Sequence, residues 1–171
     1  MPNMGSVKTF TMASLLEVLA NTNIPVNISY PIHTYVHVAR RDCVLEAKKA
    51  GSSHIWFVDS DMMWRGNPLE QLASHGKHIV GAHYNERTLP AVSTVKIEKG
   101  KRFEGKLPKH IFQCHAVATG CLLIDMQVFD KIEKPWFFYE HNEDGEIVTG
   151  RICGFVNRRI RQGLVSGATQ P

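Results

Sequence analysis

The segment HIWFVDSDMMW, His54 to Trp64, constrains this chain more than any other. It opens with a short, almost wholly apolar run of aromatic and β-branched residues. Such a run suits a strand buried on both faces, as in a parallel sheet. It then ends in two aspartates with only Ser60 between them. Like charges held close together are costly to bury unless a cation neutralises them. In open α/β sheets ligands sit beyond the carboxyl ends of the strands, and Asp59 and Asp61 fall at such an end. Hard carboxylate oxygens suit Mg²⁺ or Mn²⁺, which commonly also bind substrate phosphates. The pair therefore reads as a metal–diphosphate clamp, although a bare D-x-D also serves as a helix cap or a surface turn.

The flanking pattern narrows the choice. Leu15, Leu16, Val18 and Leu19 at helical spacing predict a helix from about Ser14 to Ala20, broken by Pro25. VNISY, residues 26–30, alternates like a short strand. HVARRDCVLEAKKAGSS predicts a second helix, with Val38, Cys43, Val44 and Ala47 on one face and Gly51 as its stop. After the aspartates, Asn67 can cap a helix, Pro68 fits its first position, Glu70 can reach back and Gly76 can close it. Further strands are expected in HIVGAHY, on both sides of Lys99–Gly100–Lys101, in IFQCHAVATG, in CLLID and in WFFYEH. A short helix capped by Asp125 and a last helix in CGFVNRRIRQGL complete the pass. Alternating strands and helices in the first half argue for an α/β layer.

The 171 residues suit one domain, read as a nucleotide-binding half over about 1–88 and an acceptor-side half over about 89–171. The formal charge of +4 suits an anionic ligand. No apolar run approaches the ~20 residues of a membrane span. The first ten residues lack a signal-peptide core, so a soluble, cytoplasmic protein is expected. Cys43, Cys114, Cys121 and Cys153 form no C-x-x-C, and buried free thiols are expected rather than a zinc site. No G-x-x-x-x-G-K-[ST] phosphate loop is present. The basic stretches lack aromatic interleaving, which argues against nucleic acid.

The stretch from Ala39 to Arg87 resembles the nucleotide-sugar-binding half of family-two-like glycosyltransferases with the GT-A fold. Arg40, Gly51, Asp59, Ser60, Asp61, Met62, Ile79, Val80, Gly81, Tyr84 and Arg87 stand where that group's pattern places them. ATGCLLIDMQVFDKIEKPWF resembles the same group's later segment. The resemblance implies a GT-A-like α/β fold, a mixed, mainly parallel sheet flanked by helices and shortened at both ends. It implies Mn²⁺ or Mg²⁺ on Asp59 and Asp61. Arg40, Asp59, Ser60, Asp61, Tyr84 and Arg87 would contact a nucleotide-sugar donor, while Trp136 and Phe137 would line the side of a hydroxyl acceptor. The expected activity is transfer of the sugar to that hydroxyl. A non-catalytic donor-binding module and another metal-dependent nucleotidyltransferase are the alternatives.

The chain also departs from that pattern. Where the group places Glu-Asp, one of them a base, this chain has Arg151–Ile152. A base would then come from the NEDGE loop, with Asp144 ahead of Glu143 and Glu146, because Gly145 lets the loop turn. The first apolar strand of the pattern is missing, which leaves a sheet edge that a second copy could pair with.

Overall fold

A computed structural model describes residues 1–2, 5–32, 35–98, 101–106, 108, 110–139, 143–145 and 163–166. Its helices are α1 (Thr9–Ala20), α2 (Val36–Lys49), α3 (Pro68–Ser74) and α4 (Val128–Lys131). Its strands are β1 (His54–Val58), β2 (Ile79–Ala82), β3 (Lys96–Glu98), β4 (Lys101–Arg102), β5 (Phe112–Cys114), β6 (Cys121–Asp125) and β7 (Gly163–Ser166). Five strands form one sheet in the order β1-β6-β2-β7-β5, and β3 pairs with β4 separately.

The expected GT-A-like, mainly parallel sheet is corrected by the pairing. β6 runs antiparallel to both β1 and β2, and β5 runs antiparallel to β7; among the described strands only β2 and β7 are parallel. The expected burial of β1 on both faces is corrected too: β1 lies at the edge of the sheet, and only its Phe57 and Val58 are buried.

Side-chain alternation divides the sheet into two apolar faces. Phe57, Leu122, Ile124 and Ile79 point to one face, with Cys43 and Val44 of α2 and Val128 and Phe129 of α4. Trp56, Leu123, Cys121, Val80 and Ala82 point to the other, with Val18 of α1 and Leu69 and Leu72 of α3. The register holds each set together, since Phe57 lies opposite Leu122 and Trp56 opposite Leu123. Cys43, Cys114 and Cys121 are free and buried, while Cys153 lies outside the described residues. Burial pushes the Cys114 and Cys121 thiols up to about 11.

The helix signals around α3 act as expected. The Asn67 side chain accepts the Glu70 amide at 3.1 Å, Pro68 opens the helix, and Gly76 follows it with φ 57°. Glu70 reaches Thr22 Oγ1 (2.9 Å) and the Asn23 amide (3.1 Å), tying the end of the α1 region to α3. α2 ends just before Gly51, whose φ of 65° suits a helix stop. Asp125 accepts the Gln127 amide at 2.9 Å, just ahead of α4.

Other expectations need correction. α1 begins at Thr9 rather than near Ser14. Thr11 and Ser14 are buried there because their hydroxyls donate to the carbonyls of Ser60 and Trp64. VNISY is not a strand, and its Val26 and Ile28 are exposed. The described part of WFFYEH, residues 136–139, is also not a strand. The expected last helix lies outside the described residues, apart from Gly163–Leu164, which open strand β7. Among the described residues no helix is long and apolar enough to cross a membrane.

Candidate functional site

Asp59 directly follows β1, and the chain turns there: the Met62 amide donates to the Asp59 carbonyl at 3.3 Å. Backbone contacts anchor the turn from two directions. The Asp59 amide donates to the Gly120 carbonyl (3.0 Å), one residue ahead of β6. The Ser60 carbonyl accepts both the Lys8 amide (2.9 Å) and the Thr11 hydroxyl (3.1 Å) at the start of α1. Ser60, expected as a donor contact, thus enters the site through its backbone.

Two arginines meet the two aspartates. Arg40 of α2 donates from Nη2 to Asp59 Oδ1 at 2.7 Å, and its side chain is only 5% exposed against 33% for Asp59. Arg87, which lies beyond β2, pairs from Nη1 with Asp61 Oδ2 at 3.3 Å, and from Nη2 donates to the Asp61 carbonyl. This second pair is open to solvent, at 64% and 48%. Each carboxylate of the turn is thus paired with a guanidinium.

Tyr84 closes the inner side. Its hydroxyl oxygen accepts the Gly120 amide at 2.9 Å. Burial, with the nearby Asp59 carboxylate second, pushes the Tyr84 phenol well above its ordinary range, so it stays protonated at neutral pH. Gly120 is where this close approach becomes possible. A Cβ there would stand 2.4 Å from the Tyr84 hydroxyl oxygen and 3.1 Å from Asp59 Oδ2.

Five residues singled out in the sequence, Arg40, Asp59, Asp61, Tyr84 and Arg87, are therefore brought into one neighbourhood. Others are not. Trp136 and Phe137, expected on an acceptor surface, are buried in the core. Trp136 packs edge-on to Phe129 (centroids 5.3 Å apart) and Phe137 edge-on to Phe57 (5.6 Å), so their rings serve packing. Glu143 and Asp144 are exposed beside Gly145, whose φ is 79°. Glu146, Arg151 and Ile152 lie outside the described residues. Thr11 and Gly120 are contributors that sequence reasoning passed over. The signal for Gly120 was its place just ahead of an apolar run, where a glycine often marks close backbone approach.

Among the described residues no group of three or more His, Cys, Asp or Glu is placed to hold a metal. Two carboxylates alone fill only part of the six-oxygen shell that Mg²⁺ prefers.

No family model matches the chain, and no curated protein matches it. A solved structure titled "Crystal Structure of A197 from STIV" is similar over 98% of this chain and 79% of that chain, with a TM-score of 0.68 and 20% identity. That likeness concerns the fold alone. The membership implied by the glycosyltransferase resemblance is corrected accordingly: the structural likeness is to A197 from STIV, and no three-residue metal group accompanies the D-S-D turn among the described residues.

Proposed function

We propose that this protein binds a nucleotide-linked sugar through its diphosphate, with Mn²⁺ or Mg²⁺ at Asp59 and Asp61, and transfers the sugar to a hydroxyl acceptor. The observation that carries this reading is the turn after β1, where two carboxylates separated by one residue are each met by an arginine from a distant part of the chain. Guanidinium groups match phosphate oxygens in pairs, and Arg87 is exposed enough to offer its fork to a ligand. Arg40 holds Asp59 in place, while Asp61 keeps Oδ1 without a partner among the described residues. A bound divalent cation would stabilise the charge that develops on a departing nucleoside diphosphate. Because both carboxylates are already paired with arginines, a cation gains little there alone and more when phosphates arrive with it.

Donor binding without transfer is the second reading. It is favoured by the exposure of Glu143 and Asp144, the first choices for a base. The test supplies the purified chain with sugar nucleotides and Mn²⁺ and measures nucleoside diphosphate release with and without hydroxyl acceptors. Acceptor-dependent release that Asp61→Ala abolishes supports transfer. Slow, acceptor-independent release with the same dependence supports the second reading. Release and binding that ignore both Mn²⁺ and Asp61 would refute the two together.

A further inference from the structure

The two arginine–aspartate pairs in the turn are built differently. Arg40 is enclosed, and its ion pair with Asp59 lies partly shielded from water. Arg87 is exposed and straddles Asp61, with one nitrogen on the carboxylate and the other on the carbonyl of the same residue. An enclosed pair is held by its surroundings, whereas an exposed pair is worth little and exchanges readily. From this contrast, and resting on the metal–diphosphate reading above, we infer that Arg87 is a guard. In the free protein it occupies Asp61 in place of a cation, and it leaves Asp61 for the diphosphate when metal and nucleotide bind together.

The exchange has a favourable electrostatic logic. A divalent cation approaching the open Oδ1 of Asp61 alone is repelled by the positive Arg87, which holds Oδ2 and the carbonyl of the same residue. A cation arriving with a diphosphate gives Arg87 a new anionic partner, and charge-assisted bonds from arginine to phosphate are stronger than an exposed ion pair. The guard therefore makes the site selective for the metal–diphosphate complex over free metal. Arg87 is suited to this because it lies on the segment beyond β2, at the solvent side of the turn, while Asp61 is held from behind by the α1 contacts to Ser60. No rearrangement of the sheet is needed.

The test compares wild type, Arg87→Ala, Arg87→Lys and Asp61→Ala. Binding of Mn²⁺ alone is followed by its electron paramagnetic resonance signal, and binding of uridine or guanosine diphosphate in saturating Mn²⁺ by calorimetry. The guard predicts opposite changes in Arg87→Ala. Affinity for Mn²⁺ alone rises about two- to fivefold, the range of an exposed ion pair. Affinity for the nucleoside diphosphate falls about tenfold or more, the range of a charged hydrogen bond. Arg87→Lys keeps the charge, so its Mn²⁺ affinity stays near wild type while nucleotide affinity falls partway. Unchanged or weaker Mn²⁺ binding in Arg87→Ala would overturn the guard, provided that Asp61→Ala still abolishes Mn²⁺-dependent nucleotide binding. Wild-type protein that binds the diphosphates no better with Mn²⁺ than without would overturn the guard and the underlying reading together.

Discussion

The Tyr84 hydroxyl oxygen accepts the Gly120 amide at 2.9 Å, and the same glycine offers its carbonyl to the Asp59 amide at 3.0 Å. One backbone position thus sets both the phenol and the first aspartate of the turn. In Gly120→Ala a Cβ would arrive 2.4 Å from the Tyr84 hydroxyl oxygen, so the ring and Asp59 must shift. Overpacking of this kind typically costs about 1–3 kcal/mol. The expected outcome is a folded protein with a lowered Tm and a disproportionate loss of Mn²⁺-dependent diphosphate binding. Calorimetry together with a thermal melt checks it, and a variant that loses stability while keeping ligand affinity would show that Gly120 serves packing alone.

Arg40 should be costly to remove for a different reason. Arg40→Met keeps bulk beside Asp59 but leaves a partly shielded carboxylate unpaired. Taking one partner from a pair between the exposed and buried extremes should destabilise by about 1–3 kcal/mol. Urea denaturation at pH 7 measures the loss. The double variant Arg40→Met/Asp59→Asn should recover part of it, because no uncompensated charge remains.

Leu122 is the second residue of β6, buried opposite Phe57 across the β1–β6 pairing. Leu122→Ala should cost about 2–5 kcal/mol through lost burial and a residual cavity. Its Mn²⁺-dependent binding, measured well below the melting range, should persist. This separates core stability from the chemistry of the turn.

His83 gives stability a pH dependence. Its ring is buried, its Nε2 faces the Ser93 hydroxyl at 3.1 Å, and burial holds its pKa below the ordinary 6.5. Between the lowered folded value and 6.5 the unfolded chain binds more protons. The contribution of His83 is therefore complete above pH 6.5 and is lost as pH falls through the folded pKa. Thermal melts from pH 7.5 to 5 should show a falling Tm, with a shallower slope in His83→Gln than in wild type.

How much of this was legible in the chain depends on the range of the interactions involved. The α3 caps, the end of α2 near Gly51 and the existence of the strand His54–Val58 rest on local chemistry, and each is where its residues place it, although that strand lies at the sheet edge with only Phe57 and Val58 buried. Strand direction is different. The apolar run of β1 does not record which way β6 runs beside it or that β1 lies at the sheet edge, so a mainly parallel sheet was expected where antiparallel pairing prevails. The aromatic pair Trp136–Phe137 carries the same ambiguity, because a ring that stacks on a sugar and a ring that packs on Phe57 have the same composition. The expected start near Ser14 missed the first turn of α1, which begins at Thr9 and in which Thr11 is tied to the Ser60 carbonyl, a contact between segments distant in the chain. The acidic turn itself was legible, since like charges at a strand end demand partners. That the partners among the described residues are Arg40 and Arg87 follows from the fold.

Binding of a metal–diphosphate unit by Asp59 and Asp61 can be read from a single titration. Nucleoside diphosphate is titrated calorimetrically into the 171-residue chain with Mn²⁺ and again with chelator, alongside Asp61→Ala under both conditions. The account predicts binding that Mn²⁺ strengthens at least about tenfold, as loss of a charge-assisted contact would reverse, and that Asp61→Ala reduces to the chelator level. Equal affinity with and without Mn²⁺, or an Asp61→Ala variant that binds as wild type does, would contradict it.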